Sequence, residues 1–433
     1  MERRDFLRKS TAAVVAGISA PCIIPSHVLA APGRPGANDR IGIAGIGIGR
    51  QGLAVVRAAL GLKETRFVAI ADANLRRAQE IAAKFQAEAY QDYRKLLERE
   101  DVDAIITATP DHWRALVCIH ACQAGKDVYA EKPMSLTIRE GRLMVEAVRK
   151  YKRVFQTGSQ QRSMAVNRLG CELVRTGAIG KVQKVIAHNY PSPWECGLPA
   201  QPVPEGLDWD MWCGPTEIVP YHIDLYTPRA NPGWISFRPY SGGEMTGWGA
   251  HGLDQVQWAL GMDQSGPIEL WTEGDKFSPP TYAAPESAAR GNKICSELGV
   301  FFRYPGDIVM ELGNGPQGGA IFIGEKGKIT MDRGVCKSDP PEVAAEALEK
   351  LGQAKGDTHM RNWLECIKSR EKPNADAEIG HRSTTVCHLG NIARWVGRKL
   401  RWDPVKEVFP DDTEANACLD RPRRKPYQLP ESV

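Results

Sequence analysis

Three short stretches of this sequence hold residues whose types and spacing can do chemistry. In GIAGIGIGRQGLAVV, Gly45, Gly47, Gly49 and Gly52 fall between an apolar run and a helical one. Gly47-x-Gly49-x-x-Gly52 fits G-x-G-x-x-G, with Gly45-x-Gly47 as an alternative register. Glycines there let the backbone approach a pyrophosphate, whose charge the helix N-terminus stabilises. Twenty residues after Gly52, Asp72 ends the next apolar run, where a carboxylate binds adenosine ribose hydroxyls. An aspartate repels a 2′-phosphate, so the pattern reads as an NAD site, with Arg76 able to soften that preference. The second stretch is DVYAEKPM, residues 127–134, where an apolar run ends in Glu131 and Lys132 and Pro133 locks the backbone behind them. The third, GGEMTGWGAHGLDQVQW, carries His251, whose imidazole can exchange a proton near neutral pH. Asp254, three residues on, shares its helical face and either orients it or makes an ordinary helix ion pair.

The elements that must position these groups follow from hydrophobic patterning. RIGIAGIG, RFVAIAD, DVDAIITATP, KDVYAE and RVFQTGS are continuous apolar runs, while LAVVRAAL, NLRRAQEIAAKF and ALVCIHACQAG between them have helical spacing. Apolar strands alternating with helices predict an α/β fold with a parallel sheet covered on both faces. Its fourth strand ends at the edge where the glycine loop sits, so Glu131 and Lys132 face a ligand rather than bulk water. After about residue 160, KVQKVIAHNY, PIELWTEG, ICSELGVFFRY, DIVMELG and GAIFIGEKGKITMD are strand-like and separated by long loops. They predict a second, α+β domain with a Pro-, Gly- and Trp-rich insertion at 190–247. Residues 340–356 read as an exposed helix and linker, and the helices in HMRNWLECIKS and RSTTVCHLGNIARWVGRKL pack back between the domains.

The chain's 433 residues, 42% hydrophobic and 25% charged, can bury two substantial cores. A formal net charge of +4 without a basic stripe argues against a nucleic-acid partner, and DRPRRKP reads as a solvated tail. Eleven cysteines show neither a C-x-x-C pair nor Cys/His ligand spacing, so neither a disulfide framework nor a metal site is expected. At the start of the chain, Arg3 and Arg4 precede TAAVVAGISAPCIIP, and HVLAAPG offers cleavage after Ala30. That order is a twin-arginine export signal and predicts a periplasmic protein. Cys22 after Pro21 is a poor context for lipid attachment, and no later run approaches ~18 apolar residues, so no membrane anchor is expected.

TATPDHW, AGKDVYAEKP, QTGSQQR and TGWGAHGLDQVQWALG together resemble the glucose-fructose oxidoreductase/inositol dehydrogenase/MocA family, in its exported twin-arginine subgroup. The resemblance implies an N-terminal Rossmann domain and a C-terminal domain with an open, mostly antiparallel sheet that serves oligomer contacts, hence a dimer or tetramer. The implied division is a signal at 1–30, a linker at 31–39, a Rossmann domain at 40–160, a substrate and oligomerisation domain at 161–405 and a tail at 406–433. It also implies that Lys132 lies beside the nicotinamide and the substrate hydroxyl, with Glu131 on cofactor ribose. A nearby positive nicotinamide disfavours the ammonium form, so Lys132 can share the proton of a hydroxyl whose carbon loses hydride.

The expected catalytic residues are therefore Lys132 and His251. The expected cofactor-binding residues are Gly45, Gly47, Gly49, Arg50, Gln51, Gly52, Asp72, Thr109, Pro110, His112, Glu131 and Lys132, with Tyr190, Asp254 and His381 as substrate contacts. Two positions depart from the family pattern. An aspartate usually stands four residues before the histidine, where this sequence has Gly247, and Arg114 stands where exported relatives often have histidine. The implied activity is oxidation of a secondary hydroxyl of a sugar or glycoside, with tightly bound NAD recycled in place. The missing aspartate leaves open an NAD-dependent glycosidase cycle of transient C3 oxidation, elimination, water addition and re-reduction. A non-catalytic dinucleotide-binding protein is a third reading, against which the presence of Lys132 and His251 counts.

Overall fold

The continuous apolar runs become buried strands. In the computed structural model, which describes residues 40–227, 233–274, 276–283, 295–351 and 358–433, the export signal and its linker lie outside the described residues. β1 (Ile41–Ile46), β2 (Thr65–Ala71), β3 (Glu88–Tyr90), β4 (Ala104–Thr107), β5 (Asp127–Ala130) and β6 (Phe155–Thr157) form a parallel sheet. Its order is β3-β2-β1-β4-β5-β6, so strands are added outward in one direction from β1 to β3 and in the other from β4 to β6, and a crevice opens at the carboxyl ends of β1 and β4. β1, β4 and β5 are buried at every residue, as their unbroken apolar sequences require. β3 has only three residues, none of them buried, and carried no apolar signal.

Local chemistry starts the helices. The Asn74 side chain accepts from Arg77 N to cap Leu75–Phe85, and Thr137 accepts from Glu140 N to cap Ile138–Lys150. The late helix His359–Ser369 returns to the N-terminal core, where Met360, Trp363 and Leu364 pack with Ile43 and Ala104.

The C-terminal half adds β7 (Val182–His188), β8 (Glu195–Cys196), β9 (Glu269–Thr272), β10 (Thr281–Tyr282), β11 (Val300–Arg303), β12 (Val309–Gly313), β13 (Ala320–Gly324), β14 (Gly327–Asp332), β15 (Val335–Asp339) and β16 (Leu400–Arg401). β8 and β10 pair as a ribbon, and the other eight form a sheet in the order β15-β14-β13-β7-β12-β11-β9-β16. All its pairs are antiparallel except β7 with β12. One face buries Val185, Phe302, Met310 and Phe322 in a core shared with the helices Ala165–Arg175, Gly249–Ala259 and Ala377–Val396. On the other, Trp271 and Phe301 stack at 5.5 Å while still half-exposed, so the sheet is open on that side.

The expected solvated tail is a correction. Arg421 and Arg423 reach the carboxylate of Glu140, itself 1% exposed, at 3.1 and 3.0 Å. Arg424 pairs with Asp210 at 2.8 Å, and the Tyr427 ring meets Trp113 edge-on. A carboxylate buried as deeply as Glu140 needs cationic partners, and the tail supplies them. The helix Glu342–Leu351 buries only Ala344, as an exposed helix should. Among the described residues all ten cysteines are free, no cluster of three or more His, Cys, Asp or Glu could hold a metal ion, and no helix is long and apolar enough to cross a membrane.

Candidate active site

A cleft of about 370 Å³ lies over the carboxyl ends of β1, β2, β4 and β5. Gly47 and Gly49 form its floor. Gly47 has φ +69° and donates its N–H to Ala71 O at 2.9 Å, while a Cβ on it would lie 2.5 Å from Thr109 Cγ2 and 2.9 Å from Thr109 Cα. Only glycine fits both that backbone and that approach. A Cβ on Gly49 would meet nothing within 4 Å, because the residue faces the open cleft where the helix Arg50–Leu60 begins. Arg50, Gln51, Gly52, Thr109 and Pro110 line the same floor. Gly45 is a correction: it sits inside β1, where a Cβ would strike the Ile48 side chain at 2.6 Å, so it serves packing beneath the loop.

The ribose end of the cleft is built by Asp72. Its carboxylate accepts from Asn74 N at 2.9 Å and takes the Arg77 guanidinium through Nη2 at 2.6 Å and Nε at 3.1 Å. Burial opposes the charge on Arg77, but Asp72 more than offsets it and leaves its pKa raised. Sequence reasoning chose Arg76, which instead pairs outward with Glu80 at 3.2 Å. Arg77 was legible only as the next residue in the same first turn. Above it lies the insertion, with the Arg77 guanidinium 5.6 Å over the Tyr226 ring and Asn74 Nδ2 donating to Tyr226 Oη at 3.2 Å. Leu75 N donates to Gly206 O at 2.8 Å and Asp208 N to Ala73 O at 2.9 Å, so main chain is zipped to main chain across the two domains.

Glu131 and Lys132 leave the end of β5 in the cleft wall. Gln51 Nε2 donates to Glu131 Oε1 at 3.1 Å, which ties the acid to the glycine-loop helix. A Cβ on Gly158 would lie 2.9 Å from Glu131 Oε2, so the end of β6 is cut close to make room for it. Lys132 Nζ donates to Gly247 O at 2.9 Å, at the position where the family pattern has aspartate. His251 lines the same wall one turn later, 7% exposed, with its ring 5.6 Å from that of Trp248. The cleft therefore brings together two groups able to exchange protons beside the mouth of the glycine loop.

Arg114 explains the second departure. It is 2% exposed and donates to Asp111 Oδ1 at 3.0 Å, to Thr109 O and to Pro133 O. It braces the ends of β4 and β5 on either side of the cleft. Asp111 also accepts from Ser241 Oγ at 2.8 Å. Its burial raises its pKa, against the opposing pull of Arg114, Ser241 and Lys132.

Four further expected site residues face elsewhere. His112 Nε2 meets Trp212 O at 2.9 Å, and burial drives its pKa down to about 3, so it packs neutral under the insertion. The Tyr190 hydroxyl donates to Gln317 O at 2.7 Å from a fully buried position. Asp254 binds Arg162 Nε at 2.8 Å and accepts from Ser383 Oγ at 2.6 Å, so its carboxylate is engaged in a buried ion pair rather than in the cleft lining. His381 Nε2 donates to Glu407 Oε1 at 2.6 Å and is not among the residues that line the cleft. Trp212 and Trp234, from the insertion, and Trp248 were not named for the site, yet they form its roof.

Residues 40–159 match a family described as an oxidoreductase family, NAD-binding Rossmann fold, and residues 172–429 match its C-terminal alpha/beta domain. Among characterised proteins, the chain is similar to 2,7-anhydro-N-acetylneuraminate hydratase of Mediterraneibacter gnavus, at 30% identity over 36% of this chain and 40% of that one. It is 32% identical to levoglucosan dehydrogenase of Pseudarthrobacter phenanthrenivorans over 26% of this chain and 29% of that one. It is 31% identical to a glycosyl hydrolase family 109 protein of Shewanella amazonensis over 32% of this chain and 35% of that one. The matched segments thus span well under half the length of these relatives. Among solved structures, WlbA dehydrogenase from Bordetella pertussis, in complex with NADH and UDP-GlcNAcA, has a TM-score of 0.60 at 17% identity, over 84% of this chain and 99% of that one. Aldose-aldose oxidoreductase from Caulobacter crescentus, complexed with glycerol, gives 0.55 at 16% identity, also over 84% and 99%. At such identities the likeness is one of fold.

Proposed function

The chain belongs to the Gfo/Idh/MocA oxidoreductase family, and on that premise we propose that it oxidises a secondary hydroxyl of a sugar or glycoside with NAD. The observation that carries this reading is the single cleft shared by the glycine loop, Asp72, Lys132 and His251. Gly47, Gly49 and Gly52 would hold the pyrophosphate and Asp72 the adenosine ribose. Bound NAD supplies the hydride acceptor. Lys132, as the free amine, accepts the proton of the substrate hydroxyl, and His251 on the same wall is the second proton carrier. Trp234 and Trp248, partly exposed in the cleft lining, offer flat apolar faces of the kind that sugar rings pack against, whereas Trp212 is stacked on Trp209. The main-chain zipper at 73–75 and 206–208 favours a cofactor that stays in place between turnovers.

A second reading, an NAD-dependent glycosidase cycle, is supported by the similarity to glycosyl hydrolase family 109 and hydratase proteins and by glycine at 247 in place of the family's aspartate. One experiment separates the two. The purified protein and NAD are incubated with a panel of mono- and disaccharides, and products are weighed by mass spectrometry. A product lighter by two hydrogens, with NADH or a reduced second sugar, marks the oxidoreductase; a released sugar without net NADH marks the glycosidase. Turnover unaffected by Lys132→Ala overturns the assignment of Lys132 in either case. We read the chain also as exported by the twin-arginine route and as a dimer or tetramer. Processing of the precursor in a periplasmic fraction and light scattering of the purified protein test those two points.

A further inference from the structure

Gly247 removes the carboxylate that the family pattern provides, yet the space for it is filled. A Cβ on Gly247 would lie 2.6 Å from Glu244 Oε2, 3.3 Å from Glu244 Cδ and 3.0 Å from Ile235 Cδ1. Ile235 lines the cleft, and Glu244 Oε2 is buried. The short helical turn Glu244–Gly247, entered through Gly243 at φ +73°, folds the Glu244 side chain back onto the residue three positions later. The carbonyl of that residue, Gly247, receives Lys132 Nζ at 2.9 Å.

We propose that Glu244 supplies, from one turn earlier, the negative charge that an aspartate at 247 would supply, and so holds Lys132 and His251 in their working arrangement. It is a positioning residue: the cleft is lined by Lys132 and His251, and Glu244 acts through them. Glycine at 247 and glutamate at 244 are then a matched pair, because a side chain at 247 collides with the carboxylate where it now sits. The placement also explains why the carboxylate turns inward, since a glutamate serving only the turn's N-terminus has no reason to pack onto Gly247. The other charged or titratable groups around Lys132 are Glu131 beside it, Asp111 with its Arg114 and Ser241 partners, Cys387 and His251.

This assignment rests on the reading of Lys132 and His251 as the proton-exchanging pair, so its test includes a measurement that needs no turnover. Lys132 acetylation by acetic anhydride is followed across pH by peptide mass spectrometry in wild type, Glu244→Gln and the double variant Glu244→Ala/Gly247→Asp. Loss of a nearby carboxylate should move the labelling midpoint of Lys132 down by roughly one pH unit, and the relocated aspartate should bring it back. With the sugar and NAD that wild type turns over, Glu244→Gln should lower kcat about tenfold or more with little change in KM, and the double variant should recover most of it. Unchanged labelling and unchanged turnover in Glu244→Gln overturn the proposal. So does a folded, NAD-binding double variant that recovers neither. A wild type that turns over no sugar sinks the functional reading instead, while the labelling shift still decides the placement of the charge.

Discussion

Replacing Asp254 by asparagine should unsettle the fold and spare the chemistry. The Arg162 guanidinium is 2% exposed and is held by Asp254 through Nε at 2.8 and 3.1 Å, by Asp263 through Nη2 at 2.7 Å and Nη1 at 3.2 Å, and by the Trp258 ring 5.1 Å away. Burial opposes that charge, and the two aspartates more than offset it, so the Arg162 pKa stays raised. Asparagine keeps the shape but loses the charge, and its amide N–H₂ meets the Arg162 Nε–H in either orientation, because Nε reaches both Asp254 oxygens while Ser383 Oγ reaches only Oδ1. Breaking one partner from a buried ion pair costs about 3–5 kcal/mol, and the remaining Asp263 argues for the lower end. If roughly 250–400 residues melt together with an unfolding entropy of about 2.1 cal/mol/K each, ~3 kcal/mol lowers Tm by about 4–6 °C. Scanning calorimetry reads that shift, and steady-state turnover well below the transition should stay within about threefold of wild type. An unchanged Tm together with a hundredfold or greater loss of kcat, the scale of a missing acid or base, would refute the structural assignment and restore Asp254 to the site.

Two other outcomes follow from buried charges. Burial pushes the Glu378 pKa up, but Arg142 and Arg382 outweigh it and hold the group at about 2, below its ordinary 4.5. A depressed carboxylate stabilises the fold above the unfolded pKa and loses that contribution as pH falls from about 4.5 toward 2. Tm should therefore fall through that window in wild type and less steeply in Glu378→Gln; parallel curves would contradict it. Deleting residues 420–433 leaves Glu140 buried without Arg421 and Arg423 and strips Tyr427 from Trp113, which lines the cleft. The truncation should lower Tm at least as far as Asp254→Asn and weaken NAD binding in a fluorescence titration, whereas an unaltered Tm would mean the tail arginines are idle.

The sequence made the parallel sheet and the glycine loop legible because both are local. Unbroken apolar runs mark β1, β4 and β5, and Gly47 and Asp72 sit at the ends of such runs. Lys132 was legible for the same reason, since a strand end has one direction in this fold. The second-domain residues were not. The helix Ala377–Val396 is buried on nearly every side, as is Gly249–Ala259, so helical periodicity could not say which face meets the cleft. His251, against Trp248 in the cleft wall, and Asp254, bound to Arg162, share a helix, and His381 meets the Glu407 carboxylate outside the cleft lining. At the start of Asp111–Gln123, consecutive residues diverge in the same way: Asp111 and Trp113 line the cleft while His112 turns under the insertion. The tail read as solvated because its partner, Glu140, is 281 residues from Arg421. No local pattern carries such a pairing.

The strap over the ribose end is anchored by amide to carbonyl, and that gives it an uncommon kind of tolerance. The rungs, Leu75 N to Gly206 O and Asp208 N to Ala73 O, use no side chain, so their tolerance lies at Glu205, while Gly206 at φ +81°, the buried Leu207 and the helix-capping Asp208 hold the strap's shape. The lever for an engineer who wants an exchangeable cofactor is therefore a single hydrogen atom. Leu75 is the first residue of its helix and follows Asn74 in an extended conformation, so proline fits there without harming the helix. It deletes one rung and leaves every contact of the glycine loop untouched, so under the proposal that the strap retains the cofactor, release becomes adjustable separately from recognition.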